Sequence, residues 1–582
     1  MAKGSPLATF GKEEEAMKPV CCLFACLSLT VLAVEAADRP EGRSFATRSV
    51  TVARHGMVAA AHPLAVLVGV ETLKKGGSAV DAAIAVNAAL ALMEPVSCGL
   101  GGDLFAMVYD PATGKLYGLN GSGRAPLALT RDKVPPAPDG TVPLHSPYAW
   151  TVPGCVDGWW ELHRKFGRLP WRELFQPVIA YAKEGVPVPQ VIAGAWQRSA
   201  RVFAQKPGFA AVFLPGGKAP AEGEPFANPA LAATFEVLAR EGGRAFYEGT
   251  IAQQIVAYSQ KNGGFFSLED LARHRSEWVE PISTTYRGYN VWELPPNTQG
   301  LAALQMLNIL ENFDLKSLGR DHPDFWHLLV EAKKLAFADR ARYYADPAFS
   351  KTPIQQLLSK AYAKKQASRI DMTRAAATVE PGNPHLADGD TTFLAVGDAS
   401  GMMVALIQSN YTGFGSGYVI PELGFGLQNR GALFSLQEDH PNAMEPGKRP
   451  FHTIIPAFLG KNGTPLMAFG VMGGDMQPQG HVQIVVNIVD FGMNLQEAGD
   501  APRFYHTGSS EPTGTVMRDG GRLSLESGIP VDVRHELLRR GHRLVEATGT
   551  VFGGYQAVLR DPRTGVYFGA TESRKDGMAL GY

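Results

Sequence analysis

The stretch TTFLAVGDASGMMVALIQSN, from Thr391 to Asn410, constrains the fold more than any other segment. Alternation along TTFLAV sets Thr391, Phe393 and Ala395 on one face of a strand and Thr392, Leu394 and Val396 on the other. Both faces are apolar, so the strand has to lie between two layers rather than at a wet surface. The DASG turn folds MMVALIQSN back as its antiparallel partner. A three-residue loop centred on Ser400 sets Ser409 opposite Thr391, and a two-residue loop sets Gln408 there. In either register a polar group from the partner strand reaches the start of the first.

What must cover such a strand is also visible. GGSAVDAAIAVNAALALME reads as an Ala-rich helix with Ser78 as its N-cap, apolar nearly all round and therefore buried. PDFWHLLVEAKKLAFADRARYYA carries Leu328, Leu329, Ala332, Leu335 and Ala336 at helical spacing, and GLAALQMLNILENF is a third helix entered from the PPNTQG loop. DLFAMVYDPATGKLYGLN and YQAVLRDPRTGVYFGATESR read as further hairpins. Helix groups flanking hairpins imply antiparallel sheets covered by helices, an α+β class, rather than a βαβ series. No fixed-period repeat occurs, and the segment 373–390, TRAAATVEPGNPHLADGD, is the best candidate for an exposed break.

At 582 residues with 45% hydrophobic content the chain can bury a large core, and a net charge of -1 gives no basic excess to favour nucleic acid or an anionic membrane. Met17-Lys18, the apolar run PVCCLFACLSLTVLAV and the following EAADRP read as the charged, apolar and small-residue parts of a secretory signal. The run is short of the roughly 20 residues a spanning helix needs, although an uncleaved anchor is the alternative. We expect residues 1–36 to be an extension plus signal and the mature chain to be secreted or periplasmic. Cys21, Cys22 and Cys26 would leave with the signal, so Cys98 and Cys155 allow one disulfide at most.

Several familiar chemistries have no support. The 14 histidines are scattered without metal-ligand spacing, so no metal is expected, and there is neither a P-loop nor a G-x-S-x-G elbow. CGLGGDLF and GFGSG read as tight turns. Thr391 is different, because it directly follows the exposed acidic loop. Cutting the chain after Asp390 would free an α-amino group with a pKa near 8, able to act as base for the same residue's hydroxyl. One residue would then supply both nucleophile and base.

Taken together, GGSAVDAAIAVNAALALMEPVSCGLGGD, VPGCVDGWWELHRKFGRLPWRELFQPVIAYAKEGVPV, EAKKLAFADR, GKRPFHTIIPAF, MGGDMQPQGHVQ, LQEAGDAPRF and the closing DGMALGY resemble the γ-glutamyltranspeptidase family of N-terminal nucleophile hydrolases. The resemblance covers nearly all of the mature chain. It implies a four-layer αββα sandwich of two stacked, mainly antiparallel sheets flanked by helices. It also implies autocleavage between Asp390 and Thr391 into a large subunit, 37–390, and a small catalytic subunit, 391–582. Thr391 is then the expected nucleophile, Ser409 the residue that supports the new N-terminus, and Gly473 and Gly474 the amides of the oxyanion hole. No cofactor is expected; the partners are a small-molecule amide and a water or amino-acid acceptor.

The resemblance weakens where the family recognises an α-amino and α-carboxylate pair. Ala432 and Leu433 in LQNRGALF stand where the acids for the ammonium group would be, and His452 and Thr453 replace a serine pair. The family arginine aligns with Ser122, leaving Arg124 and Arg430 as candidate carboxylate ligands, with Asn410 and Asn429 as further substrate-binding candidates. LIQSNYTGFGSG and LQNRG look more like the branch that includes oxamate amidohydrolase and some cephalosporin acylases. The expected function is therefore hydrolysis of an amide whose acyl group carries a carboxylate. The rivals are a true γ-glutamyltransferase or glutathione hydrolase, and a secreted binding protein of this fold without catalysis.

Overall fold

The computed structural model describes residues 44–380, 390–547 and 549–582, with Asp390 and Thr391 described by backbone alone. The signal segment and the centre of the 373–390 loop lie outside the described residues. From Phe45 to Tyr582 the chain forms one unit built on two seven-stranded, wholly antiparallel sheets. The first runs, in spatial order, Met578–Gly581, Met57–Ala60, Asp390–Gly397, Met403–Tyr411, Asp103–Asp110, Lys115–Gly121 and Glu277–Val279. The second runs Thr51–Ala53, Tyr567–Thr571, Gly554–Arg560, Thr464–Met472, Ala457–Lys461, Tyr289–Glu293 and Ile282–Tyr286.

The period-two pattern of the Asp390 strand sorts its side chains between the layers. Leu394 and Val396 join Leu104, Ala106, Val404 and Leu406 against the helices Pro63–Lys74 and Ala79–Met93. Phe393 and Ala395 join Phe105, Ala405 and Ile407 in the space between sheets, opposite Phe458, Ala468 and Val558. Gly470 makes that approach possible, since a Cβ there would sit 2.6 Å from the Phe393 ring. On the far side the helices Gly300–Leu310, Pro323–Tyr343 and Met476–Val489 cover the second sheet. The order is helix, sheet, sheet, helix, as expected. Each fully buried large aliphatic or aromatic side chain in these layers contributes about 1.5–3 kcal/mol.

Local signals behaved as their chemistry requires. Ser78 caps the Ala79–Met93 helix in a reciprocal box with Asp81, and every residue of that helix is buried. In the central hairpin Gly397 pairs with Met403 and Thr392 with Gln408, the register of a three-residue loop at Ser400. The register then shifts, because Asp390 pairs with Tyr411. Position 391 therefore faces Ser409 and Asn410 together, a local irregularity that frees the strand end from strict pairing. Cys98 and Cys155 are both buried, and they do not form the one disulfide the sequence allowed.

Candidate active site

Adjacent strands bring position 391, Ser409 and Asp103 to the same end of the first sheet, with Ser409 paired directly to Asp103. Ser409 Oγ accepts a hydrogen bond from the Tyr411 amide at 2.8 Å, and Tyr411 is held at φ 82°. That left-handed backbone costs a side chain about 1–2 kcal/mol. It lets the strand leave the sheet so that the Asn410 amide bonds the Ser97 carbonyl at 3.1 Å, and the Asn429 amide bonds the Asn410 carbonyl at 3.3 Å. Asn410 Oδ1 is buried and has no hydrogen-bond partner among the described residues. Thr392 turns the other way, as expected of an ordinary strand residue. It is buried against the helix layer, and its hydroxyl donates to Glu94 at 2.7 Å.

Arg430 opens a short turn, Arg430–Leu433, that packs beneath the site. It is fully buried, lies 4.5 Å from the Tyr411 ring centroid, and donates through Nη1 to the Thr453 hydroxyl at 2.7 Å. Its Nε and Nη2 have no partner among the described residues. Burial lowers its pKa to about 10, a pull only partly opposed by Asp103 and Tyr411. Asp103, also fully buried, is pushed up to about 6 by burial, against Arg430 and hydrogen bonds from Gln428 and the Gly123 and Gly154 backbone. His452 Nε2 lies 3.0 Å from Asp103 Oδ2, and its Nδ1 accepts from the Ile454 amide at 3.4 Å. Burial and Arg430 keep His452 neutral, so its proton sits on the nitrogen facing Asp103. Ala432 and Leu433 are buried and apolar. The result is a desolvated cation with open donors and no carboxylate salt bridge among the described residues.

Across the gap between the sheets, the strand Thr464–Met472 ends in Gly473 and Gly474, at φ 118° and 55°, before the helix that begins at Met476. Only glycine adopts that pair of angles without strain. Neither of their amides has an acceptor among the described residues, whereas the Gly474 carbonyl accepts from Gln299 Nε2 at 2.9 Å. The same Nε2 donates to the Thr453 carbonyl at 2.6 Å, and Gln299 Oε1 accepts from Arg340 at 2.5 Å. One buried amide thus ties the glycine turn to the Arg430–Thr453 pair. Burial pushes the Asp475 carboxyl up, but Arg340, 2.7 Å away, outweighs it and leaves the group at about 2. Arg340 also pairs with Glu511. A cleft of about 220 Å³ opens at Gly473, walled by Arg198, Gly413, Met472 and Val551.

The structure separates the remaining sequence candidates. Asn429 spends its side-chain amide on the Leu144 carbonyl at 3.1 Å and the Thr412 hydroxyl at 2.6 Å, so it braces the loop. Ser122 is buried, with its hydroxyl donating to Asn120. Arg124 lies outside this cluster: its Nη2 is 2.5 Å from Glu277, and it lines a different cavity. Sequence reasoning passed over Asp103, Gln299 and Arg340. An acid opening an otherwise apolar strand is a signal that could have found Asp103; the other two become visible only through contacts distant in sequence. The fold also gathers His327, Glu331 and His542, with donor atoms within 4.8 Å of one another. The His327 and His542 rings meet at 2.8 Å, and Glu331 lies 2.8 Å from Lys334.

Comparison with known proteins accords with this arrangement. Residues 65–582 match the family model described as gamma-glutamyltranspeptidase. The glutathione hydrolase-like YwrD proenzyme of Bacillus subtilis is 38% identical over 90% of this chain and 98% of its own length. The oxamate amidohydrolase proenzyme of Klebsiella pneumoniae is 36% identical over 92% and 100%. The crystal structure of cephalosporin acylase from Bacillus halodurans superposes with a TM-score of 0.85 at 43% identity, covering 94% of this chain and 99% of that one. No helix among the described residues is long and apolar enough to cross a membrane. The matched span, the αββα layers and the paired glycines facing a threonine strand together make this chain an enzyme of the gamma-glutamyltranspeptidase family of N-terminal nucleophile hydrolases.

Proposed function

We propose that the chain is exported, cuts itself between Asp390 and Thr391, and hydrolyses amides whose acyl group carries a carboxylate but no α-ammonium group. The freed α-amino group takes the proton of the Thr391 hydroxyl, which attacks the amide carbonyl. The Gly473 and Gly474 amides receive the oxyanion. The amine departs with a proton through the cleft at Gly473, and water then releases the carboxylic acid from the threonyl ester. Arg430 and Thr453 hold the acyl carboxylate, Asn410 contributes a polar contact, and His452 with Asp103 fixes the surroundings of the guanidinium.

The observation that carries this reading is the fully buried Arg430 guanidinium, two of whose nitrogens have no partner among the described residues, set beside buried Ala432 and Leu433. A carboxylate satisfies it in bidentate fashion, while an ammonium group would be buried next to a cation and against Ala432 and Leu433 rather than acids. Relatives named as oxamate amidohydrolase and cephalosporin acylase support the same direction. The test is a denaturing gel with N-terminal sequencing, paired with a glutaryl anilide assay. Wild type is expected to give two bands, the smaller starting at Thr391, and to release aniline; Thr391→Ala is expected to remain one band and be inactive. A processed Thr391→Ala, or an uncut wild type, removes Thr391 from the mechanism.

A further inference from the structure

We propose that the cavity walled by Arg124, Arg273 and His274 is a second binding site, selective for a small monocarboxylate and distinct from the acyl site. The cavity measures about 280 Å³ and is completed by Leu127, Val152 and Asp270. Its unusual member is His274. The ring is only 2% exposed, stacks at 5.4 Å on Tyr247, and has no hydrogen-bond partner for either nitrogen among the described residues. Buried imidazoles nearly always satisfy at least one nitrogen, so a ring that satisfies neither while lining a cavity marks a place for a ligand atom. Burial, together with Arg449, Arg124, Arg244 and Arg275, holds the ring neutral, which leaves it one N–H to donate.

The charge balance selects the ligand. Arg124 and Arg449 share one carboxylate, that of Glu277, at 2.5 and 2.9 Å. Arg273 pairs with Glu269 at 2.8 Å on the exposed rim. Asp270 is the acid on the wall, and its oxygens already accept from the Leu127 amide at 2.7 Å and the Ser267 amide at 2.8 Å. A single negative charge complements a half-neutralised Arg124, whereas a dianion such as phosphate would also face Asp270. A carboxylate accepting from His274 and Arg124 uses both open donors. Arg124 adjoins Gly123, whose amide donates to Asp103 at 2.8 Å, so the cavity and the acyl site share one backbone segment.

The experiment titrates sodium acetate against sodium chloride at constant ionic strength and follows the thermal midpoint and acetate NMR line width. Because acetate also suits Arg430, the titration is run on wild type and on Arg430→Gln. Saturable binding is expected to persist in Arg430→Gln, to weaken about tenfold or more on adding either Arg124→Gln or His274→Phe, and to exceed that of inorganic phosphate. The proposal is overturned if binding vanishes with Arg430→Gln alone, if both wall substitutions leave it unchanged, or if phosphate binds as well. Arg124 is partly exposed, so Arg124→Gln tests the site even should His274→Phe fail to fold.

Discussion

Arg430 and Arg124 are both arginines near the expected acyl site in sequence, and the fold gives them opposite circumstances. Arg430 is fully buried, keeps one hydrogen bond to Thr453, and leaves Nε and Nη2 open. Arg124 stands just past the end of a strand, partly exposed, against Glu277 at 2.5 Å. The difference teaches that positive charge alone does not make a carboxylate receptor. A desolvated guanidinium with no salt bridge among the described residues gains several kcal/mol from a bidentate carboxylate, while one that shares a rim carboxylate with a second arginine gains less.

The largest effect that sharpens this contrast is at Arg430. Arg430→Gln is expected to lower kcat/KM for a glutaryl anilide by about 100- to 1000-fold, some 3–4 kcal/mol, with far less change for a neutral acyl anilide. Equal losses on both substrates would make Arg430 a structural residue. The pH profile comes next. On the proposed mechanism the Thr391 α-amine has to be neutral, so activity is expected to fall with slope one below about pH 8. Asp103 must also be ionised to orient the His452 proton and balance Arg430, so the slope should steepen to two below about pH 6. Stability runs the opposite way: because burial raises Asp103 above an ordinary carboxyl, the stabilisation from its proton is present at low pH and is lost as pH rises through about 6. Asp103→Asn should abolish both features.

Smaller effects are expected further from the open donors. Thr453→Val removes the hydroxyl that accepts from Arg430 and should cost about tenfold in kcat/KM, chiefly through KM. Arg124→Gln should change kcat/KM by about threefold or less, as for an exposed ion pair. A loss at Arg124 as large as that at Arg430 would break the comparison.

Much of the fold was legible because it is written in local patterns. The two apolar faces of TTFLAV required two covering layers and Ser78 marked a helix start, whereas the hairpin register was left between two alternatives until the pairing of Thr392 with Gln408 fixed the three-residue loop at Ser400. Alternation set Thr391 and Thr392 on opposite faces of the strand, and Thr392 does point to the helix layer at Glu94. What stayed hidden depends on partners far along the chain. Asp103 meets His452, Gln299 joins Thr453 to Gly474, and Arg340 backs Gln299, none of which leaves a short-range periodicity. Arg124 was nominated as the arginine beside Ser122, and only the fold shows that it shares Glu277 with Arg449 and lines a different cavity. Cys98 and Cys155 were both present, yet each sits in its own packing environment, near Glu94 and Asn87 respectively.

The acyl site is proposed to hold a carboxylate and to reject an adjacent ammonium group. The most direct measurement is the ratio of kcat/KM for a glutaryl anilide to that for the γ-glutamyl anilide, which differ only by the α-amino group, using processed wild-type protein. The glutaryl substrate is expected to be favoured by about tenfold or more, since the ammonium would be buried beside Arg430 and against the apolar Ala432 and Leu433. A ratio near one, or a preference for the γ-glutamyl substrate, would contradict it.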